Sequence, residues 1–348
     1  MPLNFKIYSS ENIDDFISTW GARIQPLDIY YQPSFLACDA AMQKGTFEIA
    51  TYTDGENYWL YPYIILPITN TPYFDLSSPY GYAGPITSSI TFGKKVEVLF
   101  LEHIENRGDI VTEFIRYHFI YNQHYKFEQN IHNLLNRRIV VLNTNKSVDL
   151  WLEQCSSTNR NLVRKLEKEG YLWSEKQFEL KDVTVFDDAY RKNMIHSKAS
   201  DFYFFDTSFY ESLITQLGDK IRIAYVIKDN IVYASALFFV SGETVTYYLS
   251  ARNLDYPKVP ASNLLLTKMS FWAQDNGYSY FNLGGGLSLA EDDFLFKFKK
   301  NFGKDIYDFM IGKRIVQQAL YEELKLNYIS TYGKEKYEKV KHLLQFYR

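Results

Sequence analysis

The chain has 348 residues, of which 46% are apolar and 23% charged: enough length for two domains, and too much apolar material for a disordered or fibrous protein. With 38 basic and 41 acidic side chains the net charge is -3, so no overall positive field would draw DNA or an anionic membrane, and any polyanion must be held by a local patch. Aromatic residues reach 18%, enough to thicken the cores of two sheets or to line a cleft.

Strand 3–8, helices 11–20 and 33–43, and strands 46–52 and 57–66 around the Asp54-Gly55 turn open the chain. Strand Tyr73 to Leu76, the loop SSPYGYAGP, a helix from about Lys94 to Asn106 and a strand from Val111 to Tyr117 follow. Short helices are expected at Val148 to Cys155 and Asn159 to Glu169, the second carrying Arg160, Arg164, Lys165 and Lys168. The second half repeats the order more clearly. Strand 172–179 leads to helices 183–197 and 207–217, then to strands Ile221 to Ile227 and Ile231 to Val240 around a tight Lys228-Asp229-Asn230 hairpin. Strand Thr244 to Ser250, a Pro-flanked loop, a helix from Ala261 to Asn276 and strand Tyr278 to Leu283 lead into Gly284-Gly285-Gly286. A helix from Glu291 to Asn301 and a hairpin near Asp305 to Val316 complete the reading, which is α/β with mixed sheets flanked by helices.

Cys38 and Cys155 lie in no metal or redox spacing and read as free buried thiols of a reducing compartment. The N-terminus has no apolar leader segment, and no run approaches the roughly 18 apolar residues of a membrane span, so the chain reads as cytoplasmic, with at most peripheral membrane association. Phosphate-loop, dinucleotide, zinc-protease and serine-hydrolase motifs are absent, and the 6 histidines are scattered, so no metal is expected.

The block from Tyr247 to Gly303 stands out, since it ends a strand in three glycines and follows them with a lysine-rich helix. Ligands of open α/β sheets bind beyond strand carboxyl ends, where glycines admit close approach, although a ligand-free flexible loop has the same composition. At about 100° per residue, Phe294, Leu295, Phe298 and Phe302 share one arc expected to be buried. Lys299 falls between Leu295 and Phe296, while Lys297 and Lys300 point away. A partly desolvated Lys299 would bind a phosphate or polarise a carbonyl more strongly than a lysine in water; a snorkelling lysine on a solvated face fits the same angle. Asp292 and Asp293 open the helix beyond the glycines, either as helix caps or as bases for a proton leaving an attacking amine.

FNLGGG followed by DFLFKFKKNFG resembles the signature of the FemAB-like transferases, double-module members of the GNAT N-acyltransferase fold. TNRNLVRKLEKEG is similar to the basic helix opening their second module, and SSPYGYAGP to a tyrosine-glycine loop of envelope-polysaccharide relatives. The resemblance implies two GNAT-like modules, residues 1–145 and 146–321, with the segment 322–348 returning to pack on the first. It implies amide formation on an amino group of a cell-envelope precursor, a peptidoglycan or surface-polysaccharide intermediate, with acyl-CoA or aminoacyl-tRNA as donor and no metal. Lys299 then matches the lysine of the FKxxF motif, near the acceptor's phosphates or the reacting carbonyl. Tyr80, Tyr82 and Arg164 match acceptor contacts, and Gly284, Gly285, Gly286, Tyr256 and Phe296 complete the expected substrate-binding set.

One feature pulls against each donor. The junction from Asp255 to Ser262 carries Pro257 and Pro260, which remove N–H donors from the place where a CoA pyrophosphate would be cradled. The charge of -3 gives a tRNA little long-range attraction. The donor stays open, and so does a non-catalytic alternative in which the aromatic rings hold a glycan.

Overall fold

The computed structural model describes residues 4–348; Leu3, the expected first residue of the opening strand, lies outside them. The strands are β1 (Asn4–Tyr8), β2 (Thr46–Thr53), β3 (Tyr58–Pro67), β4 (Phe74–Ser77), β5 (Ile86–Thr87), β6 (Ile110–Arg116), β7 (His132–Asn143), β8 (Leu172–Gln177), β9 (Ile221–Lys228), β10 (Ile231–Ser241), β11 (Thr244–Arg252), β12 (Tyr280–Gly285) and β13 (Ile306–Ile315). The helices are α1 (Ile13–Ile24), α2 (Pro33–Met42), α3 (Ile90–Arg107), α4 (Ser157–Lys168), α5 (Leu180–His196), α6 (Thr207–Leu217), α7 (Ala261–Asp275), α8 (Phe294–Lys299), α9 (Gln318–Tyr332) and α10 (Lys334–Val340). None of the described helices is long and apolar enough to cross a membrane.

The chain divides into two compact units: Met1–Gly21, Asp39–Asn136 and Phe309–Arg348 form one, Ala22–Cys38 and Arg137–Asp308 the other. These units interleave along the sequence; the expected modules met near residue 145, with the segment 322–348 returning to pack on the first. In the first unit the strand order is β1-β2-β3-β4-β6-β13, antiparallel throughout except between β4 and β6. The β2–β3 turn forms because Asp54 accepts hydrogen bonds from the Glu56 and Asn57 N–H groups, while Gly55 takes a left-handed φ of 93°. β3 is buried along nearly its whole length, as its run YWLYPYIIL requires, and packs Trp59, Tyr61 and Tyr63 against Phe100 and Phe127. Within the same unit the chain's last residues return to β4: Tyr347 and Arg348 donate to the buried Asp75 carboxylate at 2.8 and 2.9 Å.

The second unit has strand order β7-β12-β11-β10-β9-β8, with a single parallel pair, β11 with β12. Its β9–β10 hairpin turns on Asp229 and Asn230, both at positive φ (50° and 60°), as a tight two-residue turn demands. One face of the sheet packs on α4 and α7 through Val163, Leu166, Leu264, Leu265 and Met269.

Three elements depart from the sequence reading. The expected hairpin near Asp305 to Val316 is one strand, β13. Gly312 lies within its pairing to β6 rather than in a turn, and a Cβ there would meet Ile131 and the Tyr117 hydroxyl. The helix expected over Glu291 to Asn301 is the six-residue α8. Strand β7 was not expected at all; its paired charges Arg137 and Arg138 separate Leu134 and Leu135 from the apolar run Ile139 to Leu142.

Candidate functional site

The site is built at the end of β12, in the second unit. α8 starts at Phe294 because Asp293 is its N-cap, its Oδ1 accepting from the Phe296 N–H at 2.9 Å. The other oxygen, Oδ2, accepts from the Leu287 and Ser288 N–H groups at 2.7 and 2.8 Å and from the Ser288 hydroxyl at 3.2 Å. One carboxylate therefore folds the whole loop from Leu287 to Phe296. Those backbone bonds hold its pKa below the ordinary carboxylate value. Asp293 is thus occupied as a cap, while Asp292 beside it is exposed.

The three glycines serve this construction. Gly284 has φ 72°; a Cβ on Gly285 would meet the Arg138 carbonyl at 2.7 Å and the Arg137 stem, and one on Gly286 would collide with the Asp293 carboxylate. At Gly285 and Gly286 the space that a side chain would take is filled by neighbouring protein atoms.

Lys299 is buried, 8% exposed, at the end of the six-residue helix. Its Nζ donates to the Gly285 carbonyl at 2.8 Å and lies 5.9 Å from the centre of the Tyr247 ring. Among the described residues no carboxylate comes within ion-pair distance of it. Burial first, and then the Arg137 guanidinium, push its pKa down to about 7, with the Asp293 carboxylate pulling the other way. Arg137, from β7, donates through Nη1 to the Gly286 carbonyl at 2.9 Å, and its Nε is buried without a partner. Two cations thus grip consecutive carbonyls of one strand end.

This strand end stands at a fork. β11 and β12 pair in parallel only over Thr244 with Tyr280, Val245 with Phe281 and Thr246 with Asn282. Beyond that point β11 stays with β10 as far as Arg252, and β12 stays with β7 as far as Gly285, so the two strands part. Each carries a register shift just past the last shared pair, at Tyr247 to Leu249 in β11 and at Asn282 to Gly284 in β12. Lys299 touches β12 through Gly285 and β11 through the Tyr247 ring. At the root of the fork the Thr246 hydroxyl and the Asn282 amide nitrogen are buried with no hydrogen-bond partner, although Asn282 Oδ1 accepts from the Gly284 N–H at 2.8 Å. Buried polar atoms left unpaired at a strand end are what a ligand or ordered water would satisfy.

The remaining candidates are scattered. Phe296 packs on the core behind α8, but Phe294, expected on the same buried arc, is 72% exposed. The helix begins at Phe294, so no preceding turn exists to carry the arc inward; Phe298 and Phe302 do join the core. Arg164 lies exposed on α4 over the Trp151 ring at 5.2 Å, and Tyr256 is exposed beside Tyr233. Tyr80 and Tyr82 belong to the first unit. The Tyr80 N–H donates to the buried Asp39 at 3.1 Å, and Tyr82 is buried among His118, Phe119 and Phe309, so its ring is a packing element there. Arg137, Tyr247, Thr246 and Asn282 were missed by sequence reasoning. The first lay in the strand that went unrecognised, and the others look like ordinary strand residues until the register places them at the fork.

At the β11–α7 junction, the N–H groups of Asn253, Asp255, Tyr256, Val259 and Asn263 are spent on bonds within the unit, and Pro257 and Pro260 have none to give. A cavity of about 780 Å³ opens between α5 and the strands β10 and β11, flanked by Asp188, Lys192, His196, Arg252 and Asp255; its walls include neither Lys299 nor the glycines. No group of metal-ligating side chains occurs among the described residues.

Residues 155–299 match the family model for the acetyltransferase (GNAT) domain, a span that takes in the fork and ends on Lys299. No curated protein sequence matches the chain. Among solved structures, FemX is similar over 92% of this chain and 99% of its own, at 12% identity and a TM-score of 0.65. L-PGS from Bacillus licheniformis is similar over 88% and 91%, at 16% identity and a TM-score of 0.54. A conserved protein of unknown function from Bacteroides thetaiotaomicron is similar over 90% and 100%, at 10% identity and a TM-score of 0.55. At these identities the likeness is one of fold: the mixed, mostly antiparallel α/β fold of the GNAT acyltransferases.

Proposed function

We propose that the chain is an N-acyltransferase or aminoacyltransferase that forms an amide on an amino group of a cell-envelope precursor. The observation that carries this reading is Lys299, a buried lysine without an anionic partner at the fork of the two parallel strands, inside the segment that matches the acetyltransferase domain. A neutral amine attacks the acyl carbonyl, so that a C–N bond forms and the carbonyl oxygen takes up negative charge. Collapse breaks the bond to the donor's sulfur or ribose oxygen, and the leaving group departs with the proton that the amine gave up. Lys299 serves this sequence in two ways. Its ammonium donates to the oxygen on which charge develops, where a dry site strengthens the interaction. With a pKa of about 7, it also accepts and returns a proton near neutrality, which an exposed lysine does not. Asp293 holds the loop and, with its pKa lowered, is a poor base; Asp292 is exposed and free to contact substrate.

At the β11–α7 junction Pro257 and Pro260 have no N–H and five other N–H groups are already bonded within the unit, which favours a donor held elsewhere, as an aminoacyl-tRNA would be, over a CoA cradled at that turn. Incubating the protein with acyl-CoA or charged tRNA and amino-bearing nucleotide-linked peptides or amino sugars, and weighing the acceptor by mass spectrometry, tests the reading. A mass gain of one acyl or aminoacyl group with one donor class supports it and identifies the donor. Acceptor binding with no gain from either class overturns it in favour of a glycan-holding protein.

A further inference from the structure

Arg137 stands in an unusual relation to Lys299. It comes from β7, two strands away from β11 in the sheet, and its aliphatic stem lies over Gly285, the residue whose carbonyl receives the Lys299 Nζ. Its guanidinium closes on the next carbonyl, that of Gly286, at 2.9 Å, and has no carboxylate within ion-pair distance among the described residues. Its Nε is buried with no acceptor at all. An arginine keeps its charge under all ordinary conditions, so a fixed positive charge lies beside a lysine that can lose its own. The charged and titratable groups that face Lys299 are few: Arg137 from β7, Asp293 at the head of its own helix, and Tyr247 from β11, whose phenol burial raises and so keeps neutral. Asp293 is engaged by four donors and its charge opposes that of Arg137 only in part, while Arg137 itself is paired with no carboxylate among the described residues.

We propose that Arg137 is a positioning residue that sets the proton state of Lys299, holding the strand end that anchors the Lys299 amine while its charge drives the ammonium toward release of its proton. An anionic oxygen arriving at the fork would cancel part of that repulsion and return the proton to Lys299 at the moment charge develops. A bare apolar pocket would depress the lysine without coupling it to the substrate's charge. The inference rests on the reading of Lys299 as the working group of the fork, but its consequence is visible in the protein alone.

The experiment is an NMR titration of the free protein carrying lysine labelled with 13C at Cε, with the Lys299 signal assigned by its loss in Lys299→Arg. Wild type should titrate near pH 7. Arg137→Met keeps an apolar stem over Gly285 and removes the charge, and should raise the midpoint by about one unit. Arg137→Lys restores a charge and should bring the midpoint back toward the wild-type value. Arg137→Gln is a second neutral variant should the methionine not fold. A folded neutral variant that titrates at the wild-type pH overturns the proposal, as does a wild-type Lys299 that titrates at the ordinary lysine value. A shifted midpoint in a protein that transfers no acyl group would leave this inference standing and sink the functional reading. Transfer with an unmoved midpoint would do the reverse.

Discussion

Each unit buries a cation, and the two are treated in opposite ways. In the first, Arg314 on β13 is 1% exposed, lies over the Phe127 ring, and is met by Glu113 at 2.5 Å, by Glu97 at 3.2 Å and by the Gln129 carbonyl. Glu97 in turn accepts from the Glu128 and Gln129 N–H groups, both at 2.7 Å, so one ion cluster fastens α3, β6, β13 and the segment before β7. In the second, Lys299 and Arg137 reach only backbone carbonyls. A buried charge facing its opposite is consumed in holding structure. A buried charge left without one costs stability, and persists where its field acts on something that comes and goes. The contrast separates the two units by role more sharply than their common α/β architecture does.

The largest expected effect breaks the paired side. Arg314→Met leaves Glu97 and Glu113 buried without their counter-charge and should destabilise the protein by about 3–5 kcal/mol, read by urea unfolding. A loss below about 1 kcal/mol would mean that the cluster is not structural.

The unpaired side should show itself in pH. An unfolded lysine holds its proton up to its ordinary value of 10.5, whereas folded Lys299 releases it near 7. Between those values the unfolded chain binds more protons, so stability rises with pH there. Wild type should therefore gain on Lys299→Met as pH increases from about 7 to 10, as measured by paired unfolding curves. A difference that stays constant across the range would return Lys299 to the solvated face.

Asp293→Ala should cost about 1 kcal/mol through the lost cap. Because the folded pKa of Asp293 is depressed, its contribution is present above the ordinary value of 3.8 and disappears as pH falls below it. Unfolding of wild type and variant should accordingly converge in acid. Equal stability at pH 7 would show that the loop from Leu287 to Phe296 folds without it. Smallest of all, Phe294→Ala should change stability by no more than about 0.5 kcal/mol, since the ring is in solvent, while Phe302→Ala from the core should cost about 3–5 kcal/mol. Thermal unfolding of the pair would show whether the burial along this segment follows the observed cap or the helical arc.

What could be read from the sequence depended on the range of the cause. The Asp229-Asn230 hairpin, α6, α7 and the strands around them follow from local turn chemistry and periodicity, and their ends were found to within a few residues. The placement of Lys299 could be read only as one of two alternatives, a buried lysine or a snorkelling one, because what surrounds it, the Gly285 carbonyl, the Tyr247 ring and Arg137, comes from other strands. The purpose of the glycines could not. Gly286 makes room for the Asp293 carboxylate and Gly285 for the Arg137 stem, and neither contact is implied by three glycines in a row. Phe294 misled because the angle rule presumes a helix already under way, and capping by Asp293 starts it only at Phe294, three residues later than Glu291. Arg137 and the Thr246–Asn282 root escaped notice because they become neighbours of the site only through strand register, a long-range property.

Transfer of an isotopically labelled acyl or aminoacyl group to an amino-bearing envelope precursor, by wild type and by Lys299→Met at pH 7 with folding of both verified, tests the central claim most directly. The account predicts transfer by wild type and a loss of at least about 100-fold in a variant that remains folded. A folded Lys299→Met protein that transfers at the wild-type rate would contradict it.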